Sequence, residues 1–83
     1  MEKTGELGRL LWKCRRGMLE LDVILGGFLE HGYEALTEQQ KILFDQLLEE
    51  QDPTLFSWFL TREKPEDQQM AALVQFILDT HQA

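Results

Sequence analysis

"PEDQQMAALVQFIL", residues 65–78, repeats its apolar side chains with a period that only a helix satisfies. Met70, Leu73, Val74, Ile77 and Leu78 stand at i, i+3, i+4, i+7 and i+8, one continuous stripe on an amphipathic helix. Pro65 opens the segment, with Glu66 and Asp67 in the expected first turn, where a helix dipole favours acids. The same period recurs upstream. "DPTLFSWFL", residues 52–60, places Asp52 as a cap, Pro53 as the first helical residue, and Leu55, Phe56, Phe59 and Leu60 inward. Before it, Thr37 and Gln40 fit a capping box, followed by a stripe of Leu43, Phe44, Leu47 and Leu48. A helix from about Gly17 to His31 carries Met18, Leu21, Ile24, Leu25, Phe28 and Leu29, with Gly32 as a left-handed cap. The first helix spans about Thr4 to Cys14, with Leu7, Leu10, Leu11 and Cys14 on one face and Trp12 to the side. No stretch alternates long enough for a strand, and no Asn-Gly or Asp-Gly hairpin signal occurs. The reading is an all-α, compact bundle of five short helices. Residues 1–83 form a single helical-bundle domain, with short connections that pack chain neighbours antiparallel and three fraying C-terminal residues.

The bulk properties narrow what such a bundle does. A chain of 83 residues is small for a self-sufficient core, and its 43% hydrophobic content must supply the stability. Cys14 is the single cysteine, so no internal disulfide forms, and a reducing cytoplasmic setting is expected. The N-terminus lacks the apolar core of an export signal. The run VILGGFL is far shorter than the ~20 residues that span a bilayer, so no membrane insertion is expected. Net charge is −7, split between +3 over residues 1–16 and −10 over residues 17–83. That balance opposes nucleic-acid binding, which needs a basic footprint. It leaves protein or small-molecule partners, with the basic N-terminal segment open to a local anion.

Candidate sites are few. His31 and His81 have no second histidine or cysteine at ligand spacing, so no metal is expected. Cys14 lies among Lys13, Arg15 and Arg16, which favours a thiolate, but no base stands near it in sequence, and a small core residue is the plainer reading. Gly26 and Gly27 each cost ~1 kcal/mol against alanine within a helix, which points to tight packing of a neighbouring helix or to a flat patch left for a partner. Trp58 falls off the inner face of its helix, leaving core and interface both open. Arg15, Arg16, Gly17, Glu20 and Asp22 have the weakest structural reason, because arginines outside a helix N-terminus conflict with its dipole. Arg16 and Glu20 stand four apart, so a surface ion pair worth ~0.5 kcal/mol competes with a docking site.

Residues 11–22, LWKCRRGMLELD, and the leucine before them resemble the signature of the small factors that promote flavinylation of succinate dehydrogenase. Some bacterial members of that family carry the name antitoxin CptB. The family motif R-G-x-x-E is matched by Arg16, Gly17 and Glu20, with Leu11, Trp12, Arg15, Met18, Leu19, Leu21 and Asp22 around it. Phe44, Leu47, Leu48, Asp52 and Trp58 match a second block, and the resemblance covers about positions 7 to 78. It implies an assembly factor, not an enzyme, with no catalytic residues and no stably bound cofactor. The factor would act on FAD attachment in its partner, the flavoprotein subunit of succinate dehydrogenase and also of fumarate reductase. It implies a cytoplasmic monomer whose partner-binding residues are Arg15, Arg16, Gly17, Glu20, Asp22 and Trp58. On that view Gly17 lets a partner approach the backbone, while Arg16 donates and Glu20 accepts hydrogen bonds across the interface. The competing class is an antitoxin-like regulatory protein-interaction module.

Overall fold

Five α-helices and one 3-10 turn make up the computed structural model, which describes residues 2–82, with side chains from Gly8 to His81. They are α1 (Glu2–Cys14), α2 (Leu19–His31), the turn Tyr33–Ala35, α3 (Glu38–Leu47), α4 (Asp52–Phe59) and α5 (Gln68–Gln82). No strand occurs among the described residues. The apolar stripes converge on one core. Leu10 and Cys14 of α1 enter it, with Leu21, Ile24, Leu25, Phe28 and Leu29 of α2, and Phe44 and Leu47 of α3. Leu55 and Phe59 of α4 and all five stripe residues of α5 complete it. Its centre is aromatic, with the Phe28 and Phe44 ring centroids 5.4 Å apart and Tyr33 and Phe44 5.7 Å apart. The radius of gyration, 11.8 Å, equals the value of about 12 Å for a compact chain of this length. Leu7 and Ala83 lie outside the described side chains, and α5 runs through Gln82.

Helix α2 is the hub. It packs most extensively on α5, then on α1, and also meets α4, whereas α3 rests chiefly on α5. Chain neighbours therefore do not all pair as the short connections suggested. The α2–α3 connection is taken up by the 3-10 turn, whose Tyr33 is buried and lies under the Lys41 ammonium, 5.1 Å from its ring centroid.

The α3 capping box forms as read: Gln40 N–H donates to Thr37 Oγ1 at 3.1 Å, and Thr37 N–H donates to Gln40 Oε1 at 2.9 Å. Helix α5 starts at Gln68 rather than near Pro65. Asp67 takes the capping role, accepting from Gln69 N–H at 2.8 Å and Met70 N–H at 3.1 Å. Helix α4 has Pro53 in its first turn, but Asp52 is inside the helix and its side chain makes no cap. Phe56, expected inward, is exposed, and Leu60, Leu43 and Met18 are partly buried against the core. Gly32 is not left-handed (φ −124°). Its missing side chain matters for space: a Cβ there would stand 2.5 Å from the Phe28 ring and 3.3 Å from Thr80 Cγ2. Gly26 and Gly27 show the reverse, since a Cβ at either would meet nothing within 4 Å. Tight packing of another helix is not their reason.

Candidate functional site

The corner between α1 and α2 is built by Gly17. Its φ of +82° lies in the left-handed region, which costs an L-residue roughly 1–2 kcal/mol and glycine little. Helix α2 therefore begins at Leu19 with Met18 as its cap, not at Gly17. The glycine is needed for the turn itself. A Cβ on it would meet nothing within 4 Å, so the position is open to solvent.

The two arginines before it point to different places. Arg16 turns inward, with a side chain only 17% exposed. Its Nη2 donates to the backbone carbonyls of Leu48 and Glu50, the latter at 3.2 Å. Its Nε lies 3.7 Å from Asp52 Oδ1 and has no hydrogen-bond acceptor among the described residues. Asp52 is thus drawn away from capping α4 and faces Arg16 across the α3–α4 connection. The Arg16 backbone N–H donates to Asp22 Oδ1 at 2.6 Å. One residue therefore ties the corner to both α2 and the α3–α4 connection, and no Arg16–Glu20 pair forms among the described residues. Arg15 is exposed, and so is Glu20. Neither side chain has a hydrogen bond or ion pair among the described residues.

Around this corner stand four large apolar side chains in contact with solvent. Leu11 and Trp12 come from α1, Leu19 and Val23 from α2; Trp12 is 76% and Leu19 77% exposed. The periodicity places Leu11 on the inner face, and the family signature includes Leu11, Trp12 and Leu19 without giving them a binding role; Val23 is in neither reading. Their signal was present, since Trp12 falls off the α1 stripe and Leu19 and Val23 fall off the α2 stripe. Large apolar side chains left exposed on both helices that flank one turn make that turn a candidate interaction surface. A shallow depression lined by Leu11, Cys14, Arg15, Asp22 and Gly26 lies beside them. The open face at Gly26 extends this surface.

The remaining candidates lie elsewhere or face inward. Cys14 is buried, and burial pushes its thiol up to about 11, with Arg16 lowering and Asp22 raising it. That is the reverse of activation. Trp58 is partly buried against the core. It lines a separate cleft with Arg62, Pro65 and Leu78. Arg62, at φ +65°, makes the left-handed turn after α4. His31 is exposed, 3.7 Å from Glu30. The basic N-terminal segment meets its anion within the chain: Arg9 is 3.5 Å from Asp45, and Lys13 is 2.6 Å from Glu49 and 3.4 Å from Asp45. The Glu49 hydrogen bond is the main reason the Lys13 ammonium is raised above its usual pKa. No helix is long and apolar enough to cross a membrane among the described residues.

Comparison with known proteins gives these residues a context. Residues 8–81 match the family model described as flavinator of succinate dehydrogenase. The FAD assembly factor SdhE of Idiomarina loihiensis is 47% identical over 77 residues, covering 93% of this chain and 86% of its own. That of Pseudomonas aeruginosa is 46% identical over 79 residues, covering 95% and 94%. That of Legionella pneumophila (strain Paris) is 49% identical over 72 residues, covering 87% and 90%.

Proposed function

The chain belongs to the family of flavinators of succinate dehydrogenase, and on that premise we propose that it is an assembly factor that binds the flavoprotein subunit of succinate dehydrogenase and promotes covalent attachment of FAD. The observation that carries this reading is the α1–α2 corner. It sets the free charges of Arg15 and Glu20 among exposed Leu11, Trp12, Leu19 and Val23, on a turn fixed from behind by Arg16 and Asp22.

The physics suits a helper rather than a catalyst. Bond formation between FAD and a histidine of the flavoprotein uses groups that the flavoprotein holds. A helper that fixes the flavoprotein in the reactive arrangement contributes through orientation and through exclusion of water at the covered surface. This chain's residues supply shape and charge for that purpose. The apolar side chains at the corner provide the area to bury, at ~25 cal/mol per Å². Arg15 and Glu20 give direction, because each must find a partner group once it is desolvated. Gly17 keeps the turn low, so that a partner's backbone can come close. Arg16 and Asp22 hold that turn, and Trp58 supports α4 from the core side. The protein acts as a cytoplasmic monomer with no FAD of its own, and serves the related fumarate reductase flavoprotein in the same way.

The test is co-expression of the flavoprotein subunit with and without this chain, followed by in-gel flavin fluorescence of the denatured subunit. Strong fluorescence is expected only with the chain present. Equal fluorescence in both cells would sink the reading.

A further inference from the structure

Helix α2 carries two parallel ridges at its N-terminal end. Leu19 and Val23 stand one turn apart, and so do Glu20 and Ile24. Together with Leu60 and His81 they line an open groove. Leu60 is the C-cap of α4, and His81 lies in the last turn of α5. The groove is therefore where the C-terminal ends of two helices meet the start of a third. Four of its six lining residues are aliphatic: Leu19, Val23, Ile24 and Leu60. Its edge holds a carboxylate, Glu20, with no hydrogen bond or ion pair among the described residues.

Negative charge prevails at this place, with His81 the one basic side chain that lines the groove. Helix C-termini carry partial negative charge, and both α4 and α5 end here. The α2 N-terminus contributes the opposite sign, but Glu20 and Asp22 in its first turn offset it. Asp22 is engaged by the Arg16 backbone, so Glu20 is the carboxylate free to accept. Residues 17–83 carry −10 in all, which raises the same potential at long range.

We propose that this groove receives a segment of the flavoprotein subunit in which an arginine or lysine stands beside an aliphatic residue, the cation on Glu20 and the aliphatic side chain between Val23 and Leu60. The assignment rests on the function proposed above and adds to it the chemistry of the partner and a second wall, Leu60 and His81, that the linear motif does not contain. A long basic side chain suits the place because its methylene stem packs on apolar surface while its head reaches the carboxylate. An acidic segment is rejected by Glu20 and the two helix ends alike.

The experiment measures affinity of the full chain for the purified flavoprotein subunit, by calorimetry at two salt concentrations. Leu19→Ser with Val23→Ser is expected to weaken binding at least tenfold without loss of fold, because both side chains are already exposed. Glu20→Gln is expected to weaken binding five- to thirtyfold and to reduce the salt dependence. Glu20→Lys should weaken it further, by setting a cation against a cation. Ile42→Ser, an exposed apolar residue on α3, is the control and should bind as the unaltered chain. The proposal is overturned if Glu20→Gln or the Leu19/Val23 pair binds normally, if Glu20→Lys binds better, or if Ile42→Ser weakens binding equally. Normal flavinylation support and normal binding by the groove variants overturn the groove alone. No binding and no flavinylation support by the unaltered chain overturn the function it rests on.

Discussion

Replacing Arg16 by alanine separates the two kinds of residue in the R-G-x-x-E motif. From sequence the side chain looks like a surface charge, whose removal changes stability by ~0.5 kcal/mol at most. The structure gives a larger figure. Arg16 is mostly buried and donates to two backbone carbonyls, Leu48 and Glu50, next to the Asp52 carboxylate. A hydrogen bond from a charged donor contributes roughly 1.5–3 kcal/mol, and buried carbonyls left without a donor keep their desolvation penalty. Solvent at the rim and relaxation of the connection offset part of this, so Arg16→Ala should cost about 2–3 kcal/mol. For a domain of this size that lowers the melting temperature by about 8–24 °C. Urea unfolding followed by circular dichroism at 222 nm measures it, with Arg15→Ala beside it. Arg15 is exposed, and its side chain has no partner among the described residues, so its removal should stay within ~0.5 kcal/mol. Arg16→Lys should fall between, because an ammonium cannot copy the planar fork. If Arg16→Ala and Arg15→Ala unfold at the same urea concentration as the unaltered chain, the inward anchor carries no energy and the reasoning fails.

Four further outcomes are expected. Gly17→Ala should lose about 1–2 kcal/mol through its left-handed φ alone, since the added methyl meets no neighbour; equal stability in thermal melts would mean that the corner relaxes freely. Cys14 should resist alkylation by iodoacetamide at pH 8, because its thiol is buried and pushed up to about 11, and labelling as fast as a free thiol at pH 8 would contradict this. The same shift links to stability: the unfolded thiol, near 9.0, ionises first, so the Cys14 contribution is complete below pH 9 and is lost as pH rises towards 11. Thr37→Ala should cost about 1 kcal/mol by breaking the α3 capping box, and an unchanged unfolding midpoint would show that water replaces the cap at no cost.

The local rules worked where the local sequence is the whole cause. The α5 stripe and the Thr37–Gln40 box need no information from distant residues, and both form as read. The rules failed where a distant residue competes. Asp52 and Asp67 both precede apolar runs, and by sequence either can cap. Asp67 caps α5 because nothing else claims its carboxylate, whereas Asp52 faces the Arg16 guanidinium brought to it by the fold. Arg15 and Arg16 are chemically identical neighbours, and only the turn at Gly17 sends one into the protein and the other into solvent. For the paired glycines of α2 the sequence offers tight packing or an open patch, and cannot choose between them. A Cβ at either glycine in fact meets nothing within 4 Å, and a periodicity argument cannot see the space beyond a helix.

This division explains why one short motif joins residues of opposite character. Free surface charges such as Arg15 and Glu20 contribute little to folding, since water screens them and their side chains lose entropy if held. Their value appears only when another surface removes that water. For that to happen at useful affinity, the corner must not need ordering at the moment of binding, because each rotamer or turn fixed then subtracts from the binding free energy. Arg16, Gly17 and Asp22 do the fixing beforehand. The guanidinium grips the α3–α4 connection, the glycine allows the turn, and Asp22 holds the backbone at Arg16. Loss of an anchor and loss of a contact would then give the same failure of flavinylation by different routes. The first shows in the unfolding curve before any partner is added, and the second shows only in the complex.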